Sequence, residues 1–474
     1  MLPETSVSFQ CDDPVLQKLY DEAERKCLLN RADFAGRPVL VEGGGYGKIW
    51  LETQPMGGEM YALRDLERAR NNSLLFMENQ REDGRLPGSI RREGERIVPE
   101  YDKYQGFCFP FPALNLYYLT GEDPDWLRLL RDTLEKQDAC LWRTRAVKAD
   151  GVLRTFCVYD TGEDNAVRYG DAPCWWTEDT PPEGCAVVPM ASMDVTSWSY
   201  AARSTLAEIC RIQRDEAGAR LWADRARQVA ESLRRELWDE EAGTLFDRDR
   251  LGRQVRVVGH SPLRCMYWGS MSPGMARRFV RDHLLNPREF WTPMPLPSTA
   301  VSDPAFRNAP ENNWSGQPEG LTFQRAIRAL ENYGYDSLVT VLGQKLMDAV
   351  SAHGYRFTQQ YDPFTGAPSL PEGNDPETLS AYGPTLLAVL EYIAHRWGIH
   401  PHLDRVWFSL GSGVPCRYEA AFRGIRARID SDGRKARITA DGREIYAGGC
   451  GIRVITDLRG NILETREIEG GLSC

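Results

Sequence analysis

The feature that most constrains the fold is a recurring pattern of amphipathic helices that come in pairs. In LWADRARQVAESLRRELW (221–238), Trp222, Ala226, Val229, Ala230, Leu233 and Leu237 recur at steps of three and four and share one helical face. A second segment starts at Asp194, whose carboxylate suits an N-cap, and continues through Trp198, Ala202, Thr205, Ile209 and Ile212. Similar segments occupy 12–30, 56–79, 107–120, 124–146, 272–284, 318–333, 335–353 and 377–397, so ten or eleven helices are expected. At 474 residues the chain exceeds what one ordinary core supports, which points to several domains or one large repetitive architecture.

Long Gly-, Pro- and aromatic-rich connections separate the pairs, at 31–55, 80–106, 147–193, 286–317 and 354–376. Loops of that length inside a helical body usually carry function. Past residue 401 the pattern changes to short alternating runs divided by D-G, G-R and R-G turns, which reads as antiparallel hairpins. The expected organisation is a helical catalytic domain over 1–400 and a small β domain over 401–474.

A net charge of -10 gives no positive field for nucleic acid or an anionic membrane surface. No stretch is apolar enough to span a bilayer and the N-terminus lacks a signal-peptide pattern, so a cytoplasmic location is expected. The 12 cysteines are scattered without a C-x-x-C pair and read as reduced, mostly buried thiols.

Several motifs fall away. EGGGYGK (42–48) has Glu42 where a phosphate loop needs glycine and Ile49 where it needs Ser or Thr, so it reads as a glycine-permitted bend. The six histidines make no H-E-x-x-H, and His400 and His402 read as surface residues after a helix end. A calcium loop on Asp160 and Asp164 lacks an oxygen ligand at its third position, and no G-x-S-x-G elbow is present. No metal or cofactor is expected.

The residues that remain are acids, amides and aromatics in the long loops: Trp50, Glu52, Tyr104, Gln105, Asp160 to Arg168, Trp175, Trp176, Trp314 to Glu319, and QQYDPFTG (359–366). Sugars bind to such sets, with ring faces on aromatic platforms and hydroxyls on carboxylates and amides. Glycosidic bonds also need a protonated carboxyl beside the leaving oxygen and a second group for the nucleophile.

Four segments, NNSLLFMENQREDGRLPG, YLTGEDPDWLRLLRDTLEK, ELWDEEAGTLFDRD and FWTPMPLPSTAVSDPAF, carry a family resemblance. The chain resembles the six-hairpin glycosidases, most closely glycoside hydrolase family 63 with its processing α-glucosidase and bacterial mannosylglycerate and glucosylglycerate hydrolases; trehalases are more distant. The resemblance implies a mainly α fold, an (α/α)6 toroid of helical hairpins, with a small C-terminal antiparallel β segment. It also implies an inverting, exo-acting α-glycosidase for a small disaccharide or glycosyl-glycerate-like substrate, with no cofactor.

DTGEDN (160–165) is similar to the family's D/E-S-G-x-D-N loop, which nominates Asp164 as general acid. Asp160 is then a support whose charge could raise the Asp164 pKa, and Glu163 is expected on the surface. QQYDPFTG resembles E-x-Y-(D/N)-P-x-T-G, with Gln359 in the seat of the general base, and an amide cannot take a proton from water. NNWSGQPEGLTF (312–323) resembles the Y-W-R-G-P-x-W segment, with Ser315 in place of the arginine and Glu319 in place of tryptophan. Glu52 in IWLETQPMGGE stands where relatives hold an acid against substrate hydroxyls.

Three readings follow. Gln359 is a substitution that disables the base and traps substrate; or the base has moved, to Glu319 or Glu372; or the chain binds carbohydrate without catalysis. The expected catalytic set is Asp164, Gln359 and Glu319, and the expected substrate contacts are Trp50, Glu52, Gln105, Asp160, Arg168, Trp175, Trp314 and Tyr361. The expected partner is a small carbohydrate.

Overall fold

The computed structural model describes residues 2–470. Its thirteen α-helices are α1 (Pro14–Cys27), α2 (Gln54–Met60), α3 (Leu66–Glu78), α4 (Pro110–Leu119), α5 (Pro124–Thr144), α6 (Met193–Ile212), α7 (Glu216–Leu237), α8 (Ser261–Trp268), α9 (Pro273–Phe279), α10 (Gly320–Glu331), α11 (Asp336–Ala352), α12 (Pro376–Leu379) and α13 (Gly383–Trp397). With small antiparallel sheets, this makes the protein mainly α. No described helix is long and apolar enough to cross a membrane.

Local chemistry sets the helix starts. Asp13, Asp123 and Asp215 accept from backbone N–H groups in the first turn of α1, α5 and α7, and proline occupies the first turn of α1, α4, α5, α8, α9 and α13. At α6 the cap is Ser192, which accepts from Val195 N, rather than Asp194; the Asp194 carboxylate turns instead to two buried arginines. The expected helix over 56–79 is split into α2 and α3 by the turn at Tyr61–Arg64.

Two kinds of helix alternate. α2, α4, α6, α8, α10 and α13 pack each against the next, and α13 returns to α2. Every residue of α2 and α8 is buried, as is nearly all of α10 and α13. By contrast α1, α3, α5, α7 and α11 lie against this first set with one face and keep a polar face outward. Only eight residues long, α8 spans too few turns to stand out as a periodic segment in the sequence.

The C-terminal residues form two antiparallel sheets. One runs Ile399–His402, Arg405–Leu410, Ile452–Asp457, Ile462–Glu467. The other runs Ser6–Cys11, Pro415–Phe422, Ile425–Asp432, Lys435–Ala440, Arg443–Gly449, so an N-terminal strand closes its edge. The two-residue loop Asp441-Gly442 has positive φ at both positions, the geometry that Asp-Gly favours in a tight hairpin. All eleven described cysteines are unpaired; Cys474 lies outside the described residues.

Candidate active site

The acid loop is zipped to the segment that precedes α10. Asn312 donates to Asp164 Oδ2 (3.0 Å), Asn165 donates to Asn312 O (2.7 Å) and Trp314 N donates to Asp164 O (3.0 Å). Ser315, in the seat of the relatives' arginine, accepts from Val167 N (2.7 Å) and donates to Asn165 O (3.2 Å). Asp164 is thereby fixed with Oδ1 buried and without a donor. Burial, then the charge of Glu52, pushes its carboxyl up to about 7, against the pull of Asn312 and Lys103.

Glu52 is held below by Arg325 (2.8 Å) and Gln105 (3.3 Å). Two loops cross it where only glycine fits. A Cβ on Gly162 would sit 2.2 Å from Glu52 Oε2, and one on Gly106 would sit 2.5 Å from Glu52 Cβ, both at positive φ. Burial raises the Glu52 pKa and Arg325 opposes the shift. Glu42, bonded by the Tyr382 hydroxyl (2.9 Å), is also buried and raised well above the usual range, first by burial and then by Glu52.

Glu319 stands immediately before α10 and is fully buried, and neither carboxylate oxygen has an aligned hydrogen-bond donor. The Gln360 amide beside it, a donor out of strict alignment, pulls against the rise of its pKa. Burial, then the charges of Asp164, Glu52 and Glu42, raises Glu319 well above the carboxylate range. Four carboxyls in one another's field cannot all ionise at neutral pH, so the group retains protons there.

Gln359 is tied to this group. Tyr46 donates to its Oε1 (3.1 Å), its Nε2 donates to Asn312 Oδ1 (3.2 Å), and its backbone O accepts from Gly320 N, the residue after Glu319 (2.8 Å). One asparagine amide therefore links the acid to the seat of the expected base. Tyr46, Asn312, Gln359, Gln360, Ser369 and Asp375 line a cavity of about 330 Å³. A larger groove of about 1030 Å³ crosses the C-terminal sheet between Arg417, Asp430 and Lys435, but it is open and holds no aromatic platform.

Around the rim, the Trp50 ring lies under Lys48 and Lys103, at 5.0 and 5.7 Å from its centroid, with its Nε1 unpaired. Trp175 is 59 % exposed and meets Tyr159 at 6.3 Å, and the Tyr159 phenol feels the Asp164 charge. Trp50, Glu52, Gln105, Asp164, Glu319 and Gln359 thus belong to one neighbourhood, with Trp175 at its edge.

Other expectations require correction. Asp160 does not raise Asp164: it faces the wall, accepting from Phe156 N (2.8 Å) and Tyr104 N (3.2 Å) beside Arg145, and its pKa is lowered despite burial. Glu163 is buried rather than on the surface, held by Arg168, Arg264 and His260. Arg168 does not reach the cavity, because its guanidinium is taken by Glu163, Asp194 and Asp247. Trp314 is buried and stacked on His260 at 5.4 Å, and Tyr361 is fully buried with its hydroxyl on Arg356 O (2.9 Å), so both brace loops. Glu372 is exposed, outside the group of buried carboxyls.

Removing Arg168 leaves three buried carboxylates without their shared cation. Arg168→Ala is expected to destabilise the fold by about 3–5 kcal/mol, the cost of breaking a buried ion pair. Urea unfolding measures it, and an unchanged midpoint would show that the cluster is solvated.

Sequence reasoning missed Asn312, Tyr46 and Glu42. Asn312 lies in NNWSGQPEGLTF, two residues before Trp314, where nothing local marks it. Glu42 and Tyr46 lay in the glycine-rich bend, where positive φ at Gly43, Gly44 and Gly45 turns the chain into the site.

The model of the mannosylglycerate hydrolase MGH1-like glycoside hydrolase domain matches residues 58–378. Among solved structures, the family 63 mannosylglycerate hydrolase from Thermus thermophilus, in complex with glucose, superposes with a TM-score of 0.60 at 18% identity, covering 78% of this chain and 99% of that one. A structure named sialidase matches with a TM-score of 0.74 at 15% identity, over 96% of this chain and 42% of that one. Neutral trehalase from Saccharomyces cerevisiae matches with a TM-score of 0.55 at 14% identity, over 75% of this chain and 74% of that one. These identities speak for the fold, whereas the family match spans more than half of the chain and settles its class: the protein belongs to the MGH1-like glycoside hydrolase family and is a glycoside hydrolase.

Proposed function

We propose that the protein hydrolyses a small, neutral α-linked glycoside with inversion, using Asp164 as proton donor and Glu319 as the base that activates water. The observation that carries this reading is the Glu319 carboxylate, fully buried in the field of Asp164 with the Gln360 amide beside it. Carboxyls that share one field can keep one member protonated while another is ionised, the combination a single displacement needs. Water attacks the anomeric carbon as the glycosidic C–O bond breaks; the Asp164 proton goes to the leaving oxygen and Glu319 takes a proton from the water. Gln359, fixed by Tyr46 and Asn312, orients that water or a sugar hydroxyl.

The cavity of about 330 Å³, lined by Tyr46, Asn312, Gln359 and Gln360 rather than by Asp164 or Glu319 themselves, lies at the small end of ligand sites and suits one or two sugar rings. Neutrality follows from charge: Glu42, Glu52, Asp164 and Glu319 surround the site, Ser315 replaces the arginine of relatives, and Lys48 and Lys103 pair with Glu100 and Asp102. A glycerate carboxylate would meet that field unfavourably, which favours a disaccharide.

The cyclic packing of α2, α4, α6, α8, α10 and α13 supports an (α/α)6 toroid over 1–400, with 401–474 as the β domain. Unpaired thiols support a cytoplasmic setting. The test is proton NMR of the first sugar released from a panel of α-linked disaccharides. The β anomer is expected before mutarotation; first release of the α anomer would overturn inversion, and turnover of glycosyl-glycerates alone would overturn the neutral substrate.

A further inference from the structure

Away from the site, α13 and the strand that follows it bring three donor atoms together. Glu391 Oε2 lies 3.4 Å from His395 Nε2 and 3.4 Å from His400 Nδ1, and the three atoms all lie within 4.8 Å of one another. The two imidazoles face the buried Glu391 Oε2 at contacts that fall short of strict hydrogen-bond alignment. In a tetrahedral zinc site with bonds of about 2.0–2.1 Å, neighbouring donor atoms sit roughly 3.3 Å apart. The two short edges match that spacing.

The surroundings orient the imidazole for the same purpose. His395 Nδ1 is bonded to Glu331 Oε1 (2.7 Å), which leaves Nε2 to face Glu391, and Glu331 is itself held by Arg453 (2.6 Å). A carboxylate on the far nitrogen is the usual partner of a metal-bound histidine, fixing its tautomer and raising its basicity. Glu391 and His395 are one helical turn apart on α13, and His400 comes from the strand Ile399–His402, which is half-buried rather than on the surface.

We propose that Glu391, His395 and His400 form a binding site for a zinc-class divalent cation, with water in the fourth position, that clamps α13 to the first strand of the C-terminal sheets. Two imidazoles and one carboxylate select a borderline metal over calcium or magnesium, which prefer all-oxygen shells. The clamp joins the helical body to the sheet whose next strand, Arg405–Leu410, pairs along Ile399–His402.

The test is titration of the chelator-stripped, full-length protein with Zn2+ against a chromogenic competitor, and with Co2+ followed by its visible absorption. One equivalent is expected to bind, with the intense bands of tetrahedral cobalt and a raised unfolding temperature. His400→Ala and Glu391→Gln are each expected to weaken binding at least about 100-fold, and the half-buried position of His400 lets that variant fold where a change at His395 would not. Absence of stoichiometric binding, or binding in both variants equal to that of the wild type, would overturn the site and leave a buried imidazole–carboxylate ion pair.

Discussion

Asp164→Asn is expected to lower kcat on an unactivated disaccharide about 1000-fold, within the range usual for a lost general acid and equivalent to about 4 kcal/mol of barrier. The substitution keeps the shape of the side chain but leaves nothing to protonate the departing oxygen. A substrate whose leaving group needs no proton, such as a glycosyl fluoride, is expected to lose far less. Equal losses on both substrates would place Asp164 in binding rather than proton donation.

The same residue sets a pH dependence. With its carboxyl held up at about 7, the wild-type kcat/KM falls as pH rises through that value, because the donor loses its proton. Stability moves in the same direction. Between the ordinary aspartate range and about 7 the folded protein keeps a proton that the unfolded chain releases, so this group's contribution falls as pH rises through the window. Asp164→Asn therefore removes the alkaline limb and raises the unfolding midpoint at about pH 8, where the wild type must bury a charge. That gain separates a folded, inactive enzyme from a damaged one.

What the sequence disclosed and what it hid divide along physical lines. Long helices such as α7 could be read from periodicity; α8, eight residues long, spans too few turns to show one. Asp164 could be nominated from the sequence because its loop is a local motif. The burial of Glu163 was not, since its partners Arg264 and His260 lie about 100 residues away in sequence. Asn312 joins Asp164, 148 positions earlier, to Gln359, 47 positions later, and nothing local marks that contact. The family motif named the base position, while only the fold shows which carboxylate lies beside an amide there.

That carboxylate is Glu319, and Glu319→Gln is expected to lower kcat by about 100- to 10,000-fold, as loss of a general base does. The Asp164 shift comes from burial and Glu52, so the exchange is expected to leave its carboxyl at about 7 and the alkaline limb of the pH profile in place. Gln359→Glu alone adds another carboxyl to a group that already cannot ionise fully, and it breaks the donation from Nε2 to Asn312 that helps to hold Asp164. Little gain is expected from it. Combined with Glu319→Gln, however, it restores a base next to the attacking water while keeping the number of carboxyls constant, so the double variant is expected to recover much of the lost rate. If Glu319→Gln is as active as wild type and Gln359→Glu alone raises the rate, the base belongs at 359 and Glu319 serves only to bind a sugar hydroxyl.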